Sequence, residues 1–284
     1  MALFAHWARG DGVSTEMLLF MRFGIAGGAL ATWMLFARIR WPRGRDLLLA
    51  MIMGGVLYTG MSTCYFHALR HIPGGLVALL LYLYPVFVTI LARILLKEHF
   101  TPTRLLAIAL ACLGLALTIG PIALQSLREM QAANAAGSSN ALLGIALGVG
   151  CAVCYSIYIL LGGPVTRRAG AIPCSTVVML AAAMVFAAIA LPRGDTLPTT
   201  ALGWSGVVGL AVLCTLLAIT AFLAGLRRVG PVQASTLSTL EAVTTVAVGA
   251  IFLGEAFSPI QFLGGAFILA AAIIIARTQH APSK

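Results

Sequence analysis

Nine stretches of this chain run for 20 to 25 residues with almost no charge: 17–36, 47–66, 73–92, 105–124, 141–161, 172–192, 203–224, 229–253 and 256–276. At about 1.5 Å of rise per residue, each can cross about 30 Å of hydrocarbon as an α-helix. A bilayer offers no hydrogen bonds to a bare peptide group, so spanning segments must be helices or a closed barrel. Barrel strands alternate apolar and polar residues over about ten positions; these runs are continuous and about twice as long. The pattern predicts an all-α polytopic membrane protein. Composition agrees, with 61% of the 284 residues apolar and 9% charged, against roughly 25% charged in a soluble domain. A chain so short of charge cannot cover a water-facing surface. That excludes a soluble enzyme, a nucleic-acid-binding domain and a disordered chain.

The formal net charge of +10 belongs to the short loops between the runs, where basic residues signal topology. Alternate loops on one side hold Arg38, Arg40, Arg43, Arg45, Arg93, Lys97, Arg104, Arg167, Arg168, Arg227 and Arg228, and the tail adds Arg277 and Lys284. These 13 basic residues face only Asp46 and Glu98. The other side sets Arg9, Arg70, Arg128 and Arg193 against Asp11, Glu16, Glu129, Asp195 and Glu255. The division is +11 against −1, which predicts that the 38–46 loop and the C-terminus are cytoplasmic. Residue 1 then starts outside, and the apolar stub Met1–Ala8 reads as the end of a further helix whose start is missing.

An internal repeat agrees. At a shift of 157 residues, Y-F-H-A-L-R-H-I-P (65–73) falls on F-L-A-G-L-R-R-V-G (222–230), and K-E-H-F-T-P (97–102) falls on G-E-A-F-S-P (254–259). The charge sorting puts Glu98 inside and Glu255 outside, so the two halves are expected to be inverted, with five spans each. The predicted organisation is a first repeat at 1–124 with a truncated first helix, a loop at 125–140, a second repeat at 141–276 and a cytoplasmic tail at 277–284.

These segments resemble the drug/metabolite transporter superfamily of the EamA type. The likeness rests on L-Y-L-Y-P-V-F-V-T-I-L-A-R-I-L-L-K-E-H-F-T-P (81–102), S-T-L-E-A-V-T-T-V-A-V-G-A-I-F-L-G-E-A-F-S-P-I-Q-F-L-G-G-A-F-I-L (238–269), M-R-F-G-I-A-G-G (21–28) and C-Y-S-I-Y-I-L-L (154–161). In the family pattern a proline usually follows the acid of the ninth span. Here Ala242 follows Glu241, while the first repeat keeps Tyr84–Pro85. The resemblance implies a ten-helix inner-membrane carrier of small metabolites, often an exporter.

Glu241 is the only acid within a run and Arg22 the only base. An acid at the bilayer centre costs roughly 2.5–3.5 kcal/mol on insertion scales, so Glu241 must face protein or water, be paired, or carry a proton. Substrate amine binding and proton coupling are the functional readings; a structural partner to a nearby donor is the plain one. Arg22 reads either as an anion or carboxylate clamp or as half of an ion pair with Glu241 or Glu16. Around Glu241 gather Gln233, Ser235, Thr236, Ser238, Thr239, Thr244 and Thr245, denser than packing requires, although a lone membrane Ser or Thr usually bonds its own backbone or a neighbouring helix. Tyr82, Tyr84, Tyr155 and Tyr158 lie away from span ends or one turn apart at mid-span, as cavity or core residues. The expected substrate-binding set is Glu241, Tyr84, Tyr155, Tyr158, Arg22, Ser238, Thr245 and Gln233.

Other motifs point to packing. Cys151-x-x-Cys154 sits inside a span without a neighbouring His, and Gly24-x-x-x-Gly28 and Gly144-x-x-x-Gly148 permit close helix approach. The five histidines are scattered at span ends. No G-x-x-x-x-G-K-[ST] is present, so nothing indicates ATP hydrolysis. No metal, cofactor or catalytic residue is expected. The partners expected are a small-molecule substrate and the lipid bilayer, without nucleic acid; a homodimer is compatible with the sequence. The leading function is a secondary carrier, an exporter of small polar metabolites such as amino acids, working by alternating access. A channel or lipid-handling protein is the alternative, and a membrane-embedded enzyme a remoter one.

Overall fold

The computed structural model describes residue 8 and residues 10–95, 97, 101–133, 141–244 and 258–278. All regular structure among them is helical. We label the helices α1 Thr15–Phe36, α2 Gly44–Ala68, α3 Gly74–Leu95, α4 Pro102–Ala133, α5 Ala141–Ala169, α6 Ala171–Arg193, α7 Ala201–Val229, α8 Pro231–Ser238 and α9 Pro259–Thr278. Six of these (α1, α2, α3, α5, α6 and α7) are long and apolar enough to cross a membrane. Helices α4 and α9 each contain a 17-residue apolar stretch, Leu105–Pro121 and Pro259–Ile275. Where they are described, the nine predicted runs fall mainly on helix, with non-helical residues at Pro73, Tyr82–Leu83, Gly230, Thr239 and Ser258. Helix α4 also continues through Ala133, into the segment expected to be a loop. Thr245, the acids Glu98 and Glu255 of the repeat signature, and most of the N-terminal stub lie outside the described residues.

Local chemistry sets the boundaries. Ser14 caps α1, its Oγ accepting from the Met17 amide at 3.1 Å. Thr200 caps α7 in the same way through the Gly203 amide at 3.0 Å. Gly170 (φ 89°) and Gly230 (φ 86°) turn the chain between α5 and α6 and between α7 and α8 in single-residue links, a backbone region that costs glycine nothing.

The chain forms two compact units. One holds Met1–Gly60 and Leu161–Arg228, the other Met61–Leu160 and Val229–Lys284. Each takes pieces from both sequence halves.

In the first unit α1 packs against α6. Phe23 stacks on Phe186 with centroids 6.0 Å apart, Gly27 lies against Leu180, and the Thr176 hydroxyl donates to Met34 Sδ at 3.2 Å. Residue numbers rise on α1 as they fall on α6, so the helices are antiparallel. Helices α2 and α7 each carry a π-helical turn, at Met53–Tyr58 and Val212–Leu217. The loops sort by side as the charge alternation requires. Asp46 pairs with Arg168 at 2.7 Å at one end of α1. At the other end Glu16 pairs with Arg193 at 3.2 Å, and Ser14 donates to Asp195 at 2.6 Å. Asp11 accepts from the Thr200 and Thr199 amides at 2.8 and 2.6 Å and from the Thr199 hydroxyl at 3.0 Å. The Thr200 amide, chiefly, holds the Asp11 carboxyl below the usual carboxylate range. Exposed ion pairs of this kind contribute about 0–1 kcal/mol each, so they fix loop register more than stability.

In the second unit α4 crosses α9 on small residues. Gly114 and Thr118 face Gly264 and Ile268, and Ala107 and Ala111 cluster with Ala271 and Ile275. The order again reverses, so these helices are antiparallel. The two contacting stretches, 107–118 and 264–275, are separated by the same 157 residues as the sequence repeat.

Two further helices of this unit are broken. Helix α3 is interrupted at Tyr82–Leu83, between Gly74–Leu81 and Tyr84–Leu95. Helix α8 ends at Ser238, and helical turns resume at 240–244 after Thr239. Tyr82 and Thr239 are again 157 apart. Pro85 explains the first break, since it has no amide to donate. The second forms without proline. The Ser238 hydroxyl donates to the Ala234 carbonyl at 2.8 Å and Thr239 to that of Thr236 at 2.7 Å, while the Thr239 and Ala242 amides bond three residues back. Back-bonding hydroxyls of this kind bend helices.

Candidate functional site

The broken helices carry Tyr84, Gln233, Ser238 and Glu241 of the expected site residues, all in the second unit. Tyr84 opens the second half of α3 and is 2% exposed. Its ring meets that of Tyr155 on α5 edge-on, with centroids 4.8 Å apart. Tyr155 stacks on Tyr158, one turn along, at 6.0 Å, and Tyr82 lies 6.2 Å from Tyr84. The Ser156 hydroxyl reaches the Tyr84 carbonyl at 3.2 Å and the Ala152 carbonyl at 2.7 Å, which ties α5 to the break in α3. On α8, the Ser238 hydroxyl donates to the Ala234 carbonyl at 2.8 Å and lies near the Tyr84 side chain. Glu241, just past the second break, is exposed, and its carboxylate lies within electrostatic reach of Tyr82 and Tyr84. Four tyrosines, one serine and one acid thus gather around two helix interruptions. Tyr84 and Tyr158 are buried; Tyr82 and Tyr155 are partly accessible.

Other expected members separate from this cluster. Ser235, Thr236 and Thr239 are fully buried, and their hydroxyls donate to carbonyls of their own helix. The Thr244 hydroxyl donates to the Glu241 carbonyl at 2.9 Å. Gln233 is half-buried on α8. Much of the polar density read around Glu241 is therefore internal bonding, and Ser238 is the hydroxyl placed at the tyrosines.

Arg22 belongs to the first unit. It is 4% exposed and donates to the Tyr58 phenol oxygen at 3.3 Å. The expected alternative of a pair with Glu16 is corrected: Glu16 holds Arg193. Six residues along a helix turn a side chain through about 240° at 3.6 residues per turn, so Glu16 and Arg22 leave α1 on different faces. Tyr58 had no sequence signal as the partner of Arg22. It ends a π-helical turn, whose extra residue rotates everything after it and leaves no mark on composition.

Eight apolar helices among the described residues, with two helix breaks beside a polar cluster, define an all-α polytopic membrane protein. The chain belongs to the EamA-like transporter family, whose pattern matches residues 2–120 and 142–277, within the drug/metabolite transporter superfamily. It is 29% identical to the threonine/homoserine exporter RhtA of Escherichia coli (strain K12), over 96% of this chain and 89% of that protein. It is 26% identical to the uncharacterized transporter YcbK of Bacillus subtilis (strain 168), over 93% and 84%. It is 28% identical to the uncharacterized inner membrane transporter YedA of Escherichia coli (strain K12), over 91% and 80%. A crystal structure 19% identical in sequence superposes with TM-score 0.75, covering 98% of this chain and 94% of its own; it shows the fold alone.

Proposed function

We propose that this chain is a secondary exporter of small polar metabolites, amino acids among them, in a bacterial inner membrane. The observation that carries the proposal is the pair of helix breaks at repeat-equivalent positions beside Tyr84, Ser238 and Glu241. Carriers built from repeats hold their ligands at such discontinuities near mid-membrane, where unwound backbone offers polar groups. The relatives named as an exporter of threonine and homoserine and as an inner membrane transporter support the substrate class and the location.

Glu241 binds the substrate's ammonium group or carries a proton, and the tyrosine faces beside it favour a cation. Tyr84, Tyr155 and Tyr158 shape the pocket, and Ser238 supplies a hydroxyl. The antiparallel packing of α1 on α6 and of α4 on α9 supports inverted repeats, and so transport by alternating access. The excess of basic residues on one set of loops supports a cytoplasmic C-terminus.

Proteoliposomes loaded with labelled threonine or homoserine test the proposal. Saturable efflux above protein-free vesicles is expected. Efflux that rises linearly with concentration, or none for a panel of amino acids, contradicts it.

A further inference from the structure

Arg22 poses a problem that its own unit does not solve. A guanidinium keeps its charge in proteins, and this one is 4% exposed. Its hydrogen bond goes to a neutral phenol, Tyr58, at 3.3 Å. Its Nε has no partner among the described residues. The four acids of the unit are all engaged elsewhere: Asp11 with Thr199 and Thr200, Glu16 with Arg193, Asp46 with Arg168, and Asp195 with Ser14. A buried charge without a counter-charge costs several kcal/mol. Such a residue persists only where something offsets that cost.

The fold does not ask for the charge. At the 157-residue shift Arg22 falls on Met179, which is fully buried, and Tyr58 falls on Thr215. All residues from Val178 to Ala183 are apolar, so the same helix position packs well without a cation. The surroundings are arranged around the guanidinium instead. Its carbon lies 4.6 Å from the centre of the Phe23 ring. Phe23 meets Tyr58 edge-on at 5.2 Å and stacks on Phe186. Tyr58 is delivered by the π-helical turn Met53–Tyr58, and such turns are frequent at functional sites.

We propose that Arg22 and Tyr58 form a binding site for the carboxylate of a small-molecule substrate. The chemistry selects the anion. The Nε edge of a guanidinium presents two parallel N–H groups, which match the two oxygens of a carboxylate. One buried cation neutralises one monoanion, whereas a phosphate dianion would leave a net charge in the low-dielectric interior. The substrate identity used in the test rests on the exporter proposal above; the site itself does not.

The test is ligand-dependent thermal stability of the full-length protein in detergent. The probes are threonine, lactate (a carboxylate without ammonium), threoninamide and 1-amino-2-propanol (ammonium without carboxylate). Threonine and lactate are expected to stabilise the wild type at concentrations at least about tenfold below those needed for the two probes without a carboxylate, a difference of about 1.4 kcal/mol. Arg22→Gln should erase that preference. Arg22→Lys should keep part of it, as a point charge without the planar fork, and Tyr58→Phe should weaken it. Both conservative variants keep the test decisive if Arg22→Gln does not fold. Equal response to acid and amide, an unchanged preference in Arg22→Gln or Arg22→Lys, or no response of the wild type to either carboxylate overturns the site. Arg22-dependent carboxylate binding without threonine efflux would remove the exporter proposal alone. Threonine efflux with an Arg22-independent acid preference would remove this site alone.

Discussion

Glu241→Gln should lower threonine efflux at least about tenfold and flatten its dependence on pH, in protein of normal yield and thermal stability. The expectation starts from cost. A central membrane carboxylate is disfavoured by roughly 2.5–3.5 kcal/mol on insertion scales, and the repeat-equivalent position holds the uncharged Tyr84. The fold therefore accepts an uncharged residue at this register, and the acid is retained for what it binds or carries. Glutamine keeps the size and the hydrogen-bonding capacity of the side chain but neither its charge nor its proton. Removing the charge from the tyrosine cluster weakens an ammonium ligand, and removing the titration leaves transport blind to proton concentration. Efflux measured from pH 5.5 to 8 in proteoliposomes separates the two roles. A variant with reduced flux and intact pH dependence keeps the binding role and loses the proton role. Unchanged flux removes Glu241 from the site.

The largest structural effect is expected where α4 crosses α9. A Cβ at Gly114 would stand 2.6 Å from the Gly264 carbonyl oxygen and 3.0 Å from the Ile268 amide nitrogen. A Cβ at Gly264 would stand 2.6 Å from the Gly114 oxygen and 2.8 Å from the Thr118 amide nitrogen. These neighbours are backbone, which cannot swing aside, so one methyl forces two helices apart. Overpacking of this kind costs about 1–3 kcal/mol, and without a hydrophobic drive between membrane helices close packing is a main source of association. Gly114→Ala and Gly264→Ala should each lower the apparent Tm in detergent by several degrees. Gly120→Ala, on the same helix with nothing within 4 Å of its added carbon, should leave Tm unchanged or raise it, since alanine favours helix by about 1 kcal/mol. Equal Tm values for all three variants would show that the crossing is not held by this contact.

The spans were legible because hydrocarbon imposes a simple rule: some twenty residues without charge, whatever their order. The repeat is an expectation read from acid, aromatic and proline that recur 157 residues apart. The breaks were half legible. Pro85 marks the first, but the second arises from hydroxyls of Ser238 and Thr239 turning back on their own helix, a choice that a sequence of Ser and Thr leaves open. The same ambiguity inflated the polar cluster, since Ser235, Thr236 and Thr239 satisfy themselves within α8. Tyr84 meets Tyr155, which stacks on Tyr158, a contact that the sequence left open between cavity and core. The partner of Arg22 was hidden because Tyr58 is 36 residues away and its direction is set by a π-helical turn.

Counterflow tests the carrier account most directly. Vesicles preloaded with unlabelled threonine are diluted into a trace of labelled threonine, with no ion gradient. A protein that must return its site to the other face carries label inward as unlabelled substrate leaves, so internal label should rise transiently above its equilibrium level and then decay. Monotonic equilibration of label, indifferent to the preload, would mean an open pathway and would contradict alternating access.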